Sequence, residues 1–245
     1  MTFRSEGQGA AVVFGGSRGI GAAIARQLAD DGFAVAITYL GSADQAAAVR
    51  DSITADGGRA IAIRADSRDV FAVRAAIAAV TLELGPLDVA VVNAGALRLN
   101  PIASFPLEDF DLLVNVNIRG VFLAIQCAIP VLRDGGRIIT IGSNAAVRSG
   151  SSEGSIYAMT KAAVAKLIEG LAIELAPRGI TVNNVQPGPI STDMTAGVAD
   201  RIVDRIPLRR MGKPTEIAAL VSYLASSDAG YMTGASLTID GGFVL

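Results

Sequence analysis

Apolar positions fall into seven short runs separated by longer stretches with apolar residues at helical spacing. The runs 10–14, 34–39, 60–64, 89–93, 137–141, 181–185 and 237–239 are rich in Val, Ile and Ala and bounded by Gly, Asp or Asn, and they predict strands. They are apolar throughout rather than alternating, the pattern of parallel strands covered on both faces. Between them, residues 19–30, 46–54, 70–84, 107–132, 157–175 and 215–225 predict helices. Ser42 with Gln45 three residues on fits a capping box, and Pro214 fits a first helical turn. Gly32, Gly57-Gly58, Gly135-Gly136 and Gly179 fall where helices should stop. Strand–helix alternation predicts an α/β protein, a single-domain doubly wound parallel sheet of about seven strands with helices on both faces. No repeat, low-complexity tract or linker divides residues 1–245, so one domain is expected. The least regular stretch, 191–210, follows a strand's carboxyl end, where α/β sheets bind ligands; it reads as a substrate lid or as a plain surface connection.

Composition narrows the chemistry. The 245 residues are 51% hydrophobic and 5% aromatic, so the core is built from small aliphatic side chains. There is no His, which excludes a Ser-His-Asp triad, a Cys-His pair and His-ligated metal; no metal site is expected. The single Cys127 cannot form an internal disulfide, and a cytoplasmic location is the simpler expectation. A net charge of -2 without a basic run argues against nucleic acid as a partner. The start of the chain lacks a signal-peptide pattern, and no uninterrupted apolar stretch approaches the roughly 18 residues of a membrane span.

The first strand ends in Phe14-Gly15-Gly16-Ser17-Arg18-Gly19-Ile20-Gly21 and a helix follows at once. Glycines at 15, 19 and 21 suit a sharp turn, close backbone approach to a pyrophosphate and tight helix–sheet packing, with the helix amides facing the phosphates. The same cluster also fits an ordinary tight turn. An acidic residue at the end of the second strand would mark NAD, but Tyr39-Leu40-Gly41-Ser42 carries none. Arg18, in the glycine loop, can bind a 2′-phosphate or stand as a solvated cation, and NADPH (NADP+) is therefore expected ahead of NADH. Further along, Tyr157 and Lys161 lie at i and i+4 in a chain with only 4 Tyr, and would share a helix face. A nearby ammonium would lower the tyrosine pKa toward a useful range. Ser143, at the end of the fifth strand, could hold a carbonyl oxygen or simply sit in a turn.

Together these residues resemble the short-chain dehydrogenase/reductase family over nearly the whole chain. Gly15-x-x-x-Gly19-x-Gly21, Asp66 after the third strand, Asn93-Ala94-Gly95 after the fourth, Asn117, Ser143, Tyr157-x-x-x-Lys161, Pro187-Gly188-Pro189-Ile190-Ser191-Thr192 and the Thr233-Gly234 and Asp240-Gly241-Gly242 segment appear in the family's order. The resemblance implies a catalytic tetrad of Asn117, Ser143, Tyr157 and Lys161. It implies a cofactor surface of Gly15, Ser17, Arg18, Gly19, Ile20, Gly21, Tyr39, Ser42, Asp66, Ser67, Asn93, Ala94, Gly95, Tyr157, Lys161, Pro187, Gly188, Ile190 and Thr192. In that scheme Tyr157 donates a proton to a carbonyl oxygen, Ser143 holds it, Lys161 binds the nicotinamide ribose and lowers the Tyr157 pKa, Asn117 supports a water relay, and Thr192 binds the carboxamide. Asp66 contacts adenine.

Phe14 and Val92 depart from the family's usual Thr and Asn, and the loop between Ser143 and Tyr157 is one residue longer than in similar reductases. The pattern is closest to 3-oxoacyl-[acyl-carrier-protein] reductases and related carbonyl reductases, which implies a small-molecule carbonyl or alcohol substrate, an acyl-carrier protein as a candidate partner, and a homotetramer. An NAD-dependent alcohol or sugar dehydrogenase and a non-catalytic nucleotide-binding regulator remain as alternatives.

Overall fold

The computed structural model describes residues 9–150, 152–193, 195–197 and 199–245. Seven parallel strands form one sheet: β1 (Ala10–Phe14), β2 (Ala34–Tyr39), β3 (Ala60–Arg64), β4 (Leu87–Val92), β5 (Leu132–Ile141), β6 (Thr181–Pro187) and β7 (Ser236–Ile239). Their order is β3-β2-β1-β4-β5-β6-β7. The order reverses between β1 and β4, which opens a crevice at the carboxyl ends of those two strands.

Helices α1 (Gly19–Asp30), α2 (Ala43–Ala55), α3 (Val70–Leu84), α4 (Leu107–Val114), α5 (Gly120–Ala128), α6 (Ser155–Leu175), α7 (Ala199–Val203) and α8 (Pro214–Ala225) connect the strands. Two apolar layers result from the alternation of side chains along the strands. Val13, Ile37, Val91 and Ile139 face α1, α2 and α8, whereas Val12, Ala36, Ala90 and Ile138 face α3, α5 and α6. Both faces of the inner strands are buried, as the continuous apolar runs require, whereas the edge strands β3 and β7 are partly exposed.

Three expectations need correction. Ser42 precedes α2 but makes no side-chain cap bond, because its backbone lies at φ -106, ψ 62, outside the extended region a cap residue adopts. Gly135-Gly136 lies inside β5 rather than at a helix end; the β4–β5 register jumps from Leu87↔Leu132 to Val89↔Arg137, and the intervening residues bulge out, with Gly135 at φ 75. The segment 107–132 is not one helix. It breaks at a π-helical turn, Asn115–Arg119, and tightens to a 3₁₀ turn at Ile129–Val131 before Leu132 enters β5. The run Leu107–Val131 is 25 residues long, enough by length and composition to cross a membrane. Here the broken run packs one side into the core: Leu113, Asn117, Val121, Ala124 and Ala128 are buried.

Candidate active site

The turn after β1 is shaped by what its glycines touch. Gly15 has φ +78, and a Cβ there would lie 2.9 Å from Ala94 Cα. A Cβ on Gly21 would lie 2.2 Å from the Gly15 carbonyl oxygen, so α1 begins in direct backbone contact with the turn. Asn93 binds the same place: its Nδ2 donates to Gly15 O at 2.7 Å, while the amides of Asn93 and Ala94 donate to Phe14 O at 3.1 and 2.8 Å. Phe14 offers no hydroxyl to this turn. Thr38 of the neighbouring strand supplies one, its Oγ1 accepting from Gly15 N at 3.1 Å.

Gly19, at φ +53, would bring a Cβ within 3.4 Å of Thr192 Cγ2, so the segment after β6 closes over the start of α1. There is no carboxylate in the first turn of α1, and Arg18 makes no side-chain cap bond. The first amides of the helix therefore face the crevice without an anionic side chain, as a phosphate cradle requires.

At the carboxyl end of β2, Tyr39 is half-buried and Ser42 sits just beyond the strand. Asp66 is held by Arg68 in a bidentate pair, Nη2 to Oδ2 at 2.7 Å, and this bond keeps its carboxyl below the usual carboxylate range. Ser67 packs against the start of α5, where a Cβ on Gly120 would lie 3.2 Å from Ser67 O. Arg64, at the end of β3, donates through Nε to Leu40 O at 3.2 Å.

Lys161 is 7% exposed and lies where β4, β5 and α6 meet. Its Nζ donates to Ile141 O at 3.1 Å and sits 5.8 Å from the centre of the Tyr157 ring. Burial lowers its pKa to about 8. Ser143 lies at the end of β5; its Oγ accepts from Ala145 N at 3.1 Å and hydrogen-bonds the Tyr157 phenol. Burial pushes the Tyr157 phenol up, with the Ser143 bond opposing. The lowering expected from Lys161 is not among the causes of this shift; the only one that opposes burial is the Ser143 bond.

Asn117 is fully buried within the π turn. Its Oδ1 accepts from Ala96 N at 2.8 Å, and its Nδ2 donates to Ala96 O at 2.9 Å and to Thr160 Oγ1 at 3.1 Å. The chain leaving β4 is thereby tied to α6 within the turn that carries Tyr157 and Lys161. A π turn shifts the register of a helix by one residue and recurs at functional sites.

After β6, Gly188 N donates to Ile239 O at 3.0 Å, and a Cβ on Gly188 would lie 2.3 Å from Asp240 Cβ. Ile190 is buried in the α1–α8 layer, which leaves its backbone as the part able to meet a cofactor. Thr192 N donates to Thr195 Oγ1 at 3.1 Å, and that hydroxyl donates to Ile190 O at 2.5 Å. Met194 and Val198, within 191–210, lie outside the described residues. Sequence reasoning missed Thr38, Thr160 and Thr195. Each acts through a cross-chain bond, and a lone Thr in a strand, helix or loop carries no signal for that.

The sheet's crossover point, the glycine turn beneath a helix start and the Ser143–Tyr157–Lys161 cluster together define a dinucleotide-dependent oxidoreductase site. A family model described as "Enoyl-(Acyl carrier protein) reductase" matches residues 15–244. A curated relative from Staphylococcus aureus, a 3-oxoacyl-[acyl-carrier-protein] reductase FabG, is 42% identical over 241 residues, covering 96% of this chain and 98% of the relative. A solved short-chain dehydrogenase/reductase from Serratia marcescens superposes with a TM-score of 0.95 at 47% identity, covering 99% of this chain and 100% of that one. A short chain dehydrogenase from Burkholderia cenocepacia in complex with NADP has a TM-score of 0.95 at 46% identity, with the same coverage. The chain belongs to the short-chain dehydrogenase/reductase family of NAD(P)-dependent oxidoreductases.

Proposed function

We propose that the protein reduces a ketone or aldehyde carbonyl to the alcohol with NADPH, using Tyr157 as proton donor. The observation that carries this reading is the convergence of Ser143, Tyr157 and buried Lys161 at the carboxyl edge of β5, beside the crevice flanked by the glycine turn. The cofactor, when bound, supplies the hydride. The amides at the start of α1 would hold its pyrophosphate, Lys161 its nicotinamide ribose and Thr192 its carboxamide. Arg18 and the absence of an acid at the end of β2 favour the phosphorylated cofactor, and the NADP-bound Burkholderia relative supports the choice.

Ser143 orients the carbonyl oxygen. Tyr157 gives it a proton as negative charge develops there, and Lys161 stabilises the phenolate left behind. Asn117 has spent both amide hydrogens, so it supports proton return by holding its neighbours in place. Tyr157→Phe should lower turnover by about three orders of magnitude or more while leaving NADPH affinity within about twofold. Stopped-flow turnover and a fluorescence titration check both halves; undiminished turnover would remove Tyr157 from the reaction.

The S. aureus relative makes an acyl-carrier thioester a candidate substrate. The cations that would greet such an acidic carrier are partly committed: Arg209 pairs with Asp204 and Arg210 with Glu216, Arg148 donates to Leu245 O, and Arg205 donates to the Gly150 carbonyl. A free carbonyl compound is therefore the simpler substrate. Kinetics on an acyl-carrier thioester that weaken steeply with salt would favour the carrier instead. The 191–210 stretch acts as the substrate lid in this reading, and four copies of the chain form the working assembly.

A further inference from the structure

We infer that Arg64 is a second cationic ligand for the cofactor's ribose 2′-phosphate, acting with Arg18 to set the preference for NADPH; this rests on the NADPH reading above. The placement follows from strand order and register. β2 lies between β1 and β3, so its carboxyl end is flanked on one side by the glycine loop bearing Arg18 and on the other by the end of β3. Tyr39 is directly opposite Arg64 in the parallel ladder, and adjacent strands are about 4.8 Å apart. Tyr39, Ala60 and Ala62 all pack into the layer that contains α1 and α2. Alternation along β3 sends Arg64 to that same face, the face on which the helix following Arg18 lies.

Arg64 is also pre-set. Its Nε donates to Leu40 O at 3.2 Å, which anchors the guanidinium over the point where the chain leaves β2. That leaves both terminal nitrogens, a two-pronged fork suited to phosphate oxygens. Two other arginines near this edge point elsewhere. Arg68 is paired with Asp66, and Arg119 donates to Arg68 O. Asp66, so neutralised, does not compete for Arg64, and Leu40-Gly41-Ser42 contains no carboxylate. The end of β2 thus carries no acid before Asp44 in the first turn of α2, and lies between two arginines, one of which is held in place by the backbone.

The test measures NADPH and NADH affinity by fluorescence titration for the wild-type chain, Arg64→Gln and Arg64→Lys. Glutamine can still reach toward the Leu40 carbonyl but carries no charge. The wild type is expected to bind NADPH more tightly than NADH. Arg64→Gln should lose about tenfold or more in NADPH affinity with NADH affinity unchanged within about twofold, and Arg64→Lys should recover part of the loss. Equal weakening of both cofactors would show that Arg64 only pins Leu40, and no change in either would remove it from the site; both overturn the inference while leaving the NADPH reading intact. A wild type without preference for NADPH would overturn that reading and the inference with it.

Discussion

Lys161 carries the least comfortable charge in the molecule, a buried amine whose pKa falls from 10.5 to about 8 through desolvation alone. Below about 8 it is charged in both folded and unfolded chains, and the folded chain bears the whole cost of burying it, on the order of 3 kcal/mol. Between about 8 and 10.5 the unfolded chain holds the proton and the folded chain does not, so stability rises with pH across that window. Lys161→Met removes the titration. Loss of the bond to Ile141 O adds an offset that does not vary with pH. The stability of the variant relative to the wild type should therefore be greatest near neutrality and shrink as pH climbs through the window, read by urea denaturation at a series of pH values. A gap that stays flat would mean that Lys161 titrates as an exposed amine. The same desolvation keeps Tyr157 a phenol at neutral pH, which is the form a reductive proton donor needs.

At the scale of elements, the contact between α1 and the turn after β1 is the tightest part of the site. A Cβ on Gly21 would meet the Gly15 carbonyl at 2.2 Å and Asn93 Nδ2 at 2.6 Å. Neither can yield easily, because Gly15 O is bound by Asn93 and Gly15 N by Thr38. Gly21→Ala should thus push α1 off the sheet, lower the melting temperature by several degrees and abolish measurable NADPH binding. Gly170 is the matched control: it lies inside α6, more than a turn from its end, with nothing within 4 Å of a Cβ. Gly170→Ala should stabilise the chain by about 0.5–1 kcal/mol and leave binding untouched. Thermal melts with a cofactor titration decide both, and a Gly21→Ala protein that still bound NADPH would show that the turn tolerates a side chain.

The sequence made this contact legible because the glycine spacing has a local cause. It did not make the π turn legible, because Leu107 to Leu132 reads as one apolar helical period. The break belongs to Asn117, whose side chain is drawn to Ala96 and Thr160 from elsewhere in the chain. Arg64 was hidden for the same reason. Its neighbour across the sheet is known only once β2 and β3 are in register.

At the scale of the whole molecule, the substrate side proposed above is assembled from three stretches far apart in sequence. The loop between Ser143 and Tyr157, the segment containing α7, and the residues after β7 meet through apolar packing, as of Ile206 on Gly241, and through several polar contacts. Arg205 is the joint: its Nη2 donates to Gly150 O at 3.0 Å, and its guanidinium lies 5.0 Å from the centre of the Phe243 ring. Asn144 donates to Asp240 Oδ2 at 3.2 Å, and Leu208 N donates to Gly241 O at 3.2 Å. These bonds order the substrate side without touching the glycine turn, so cofactor and substrate binding should separate on removing Arg205. Arg205→Ala is expected to raise KM for the carbonyl substrate by about five- to tenfold, with NADPH affinity unchanged, since a loop lacking its clasp must be ordered at the moment of binding. It should also speed proteolytic cutting within 191–210, because local opening there no longer breaks the Gly150 and Phe243 contacts. An unchanged KM together with an unchanged cleavage rate would show that the 191–210 stretch is held by its remaining backbone bonds and that Arg205 is only a surface cation.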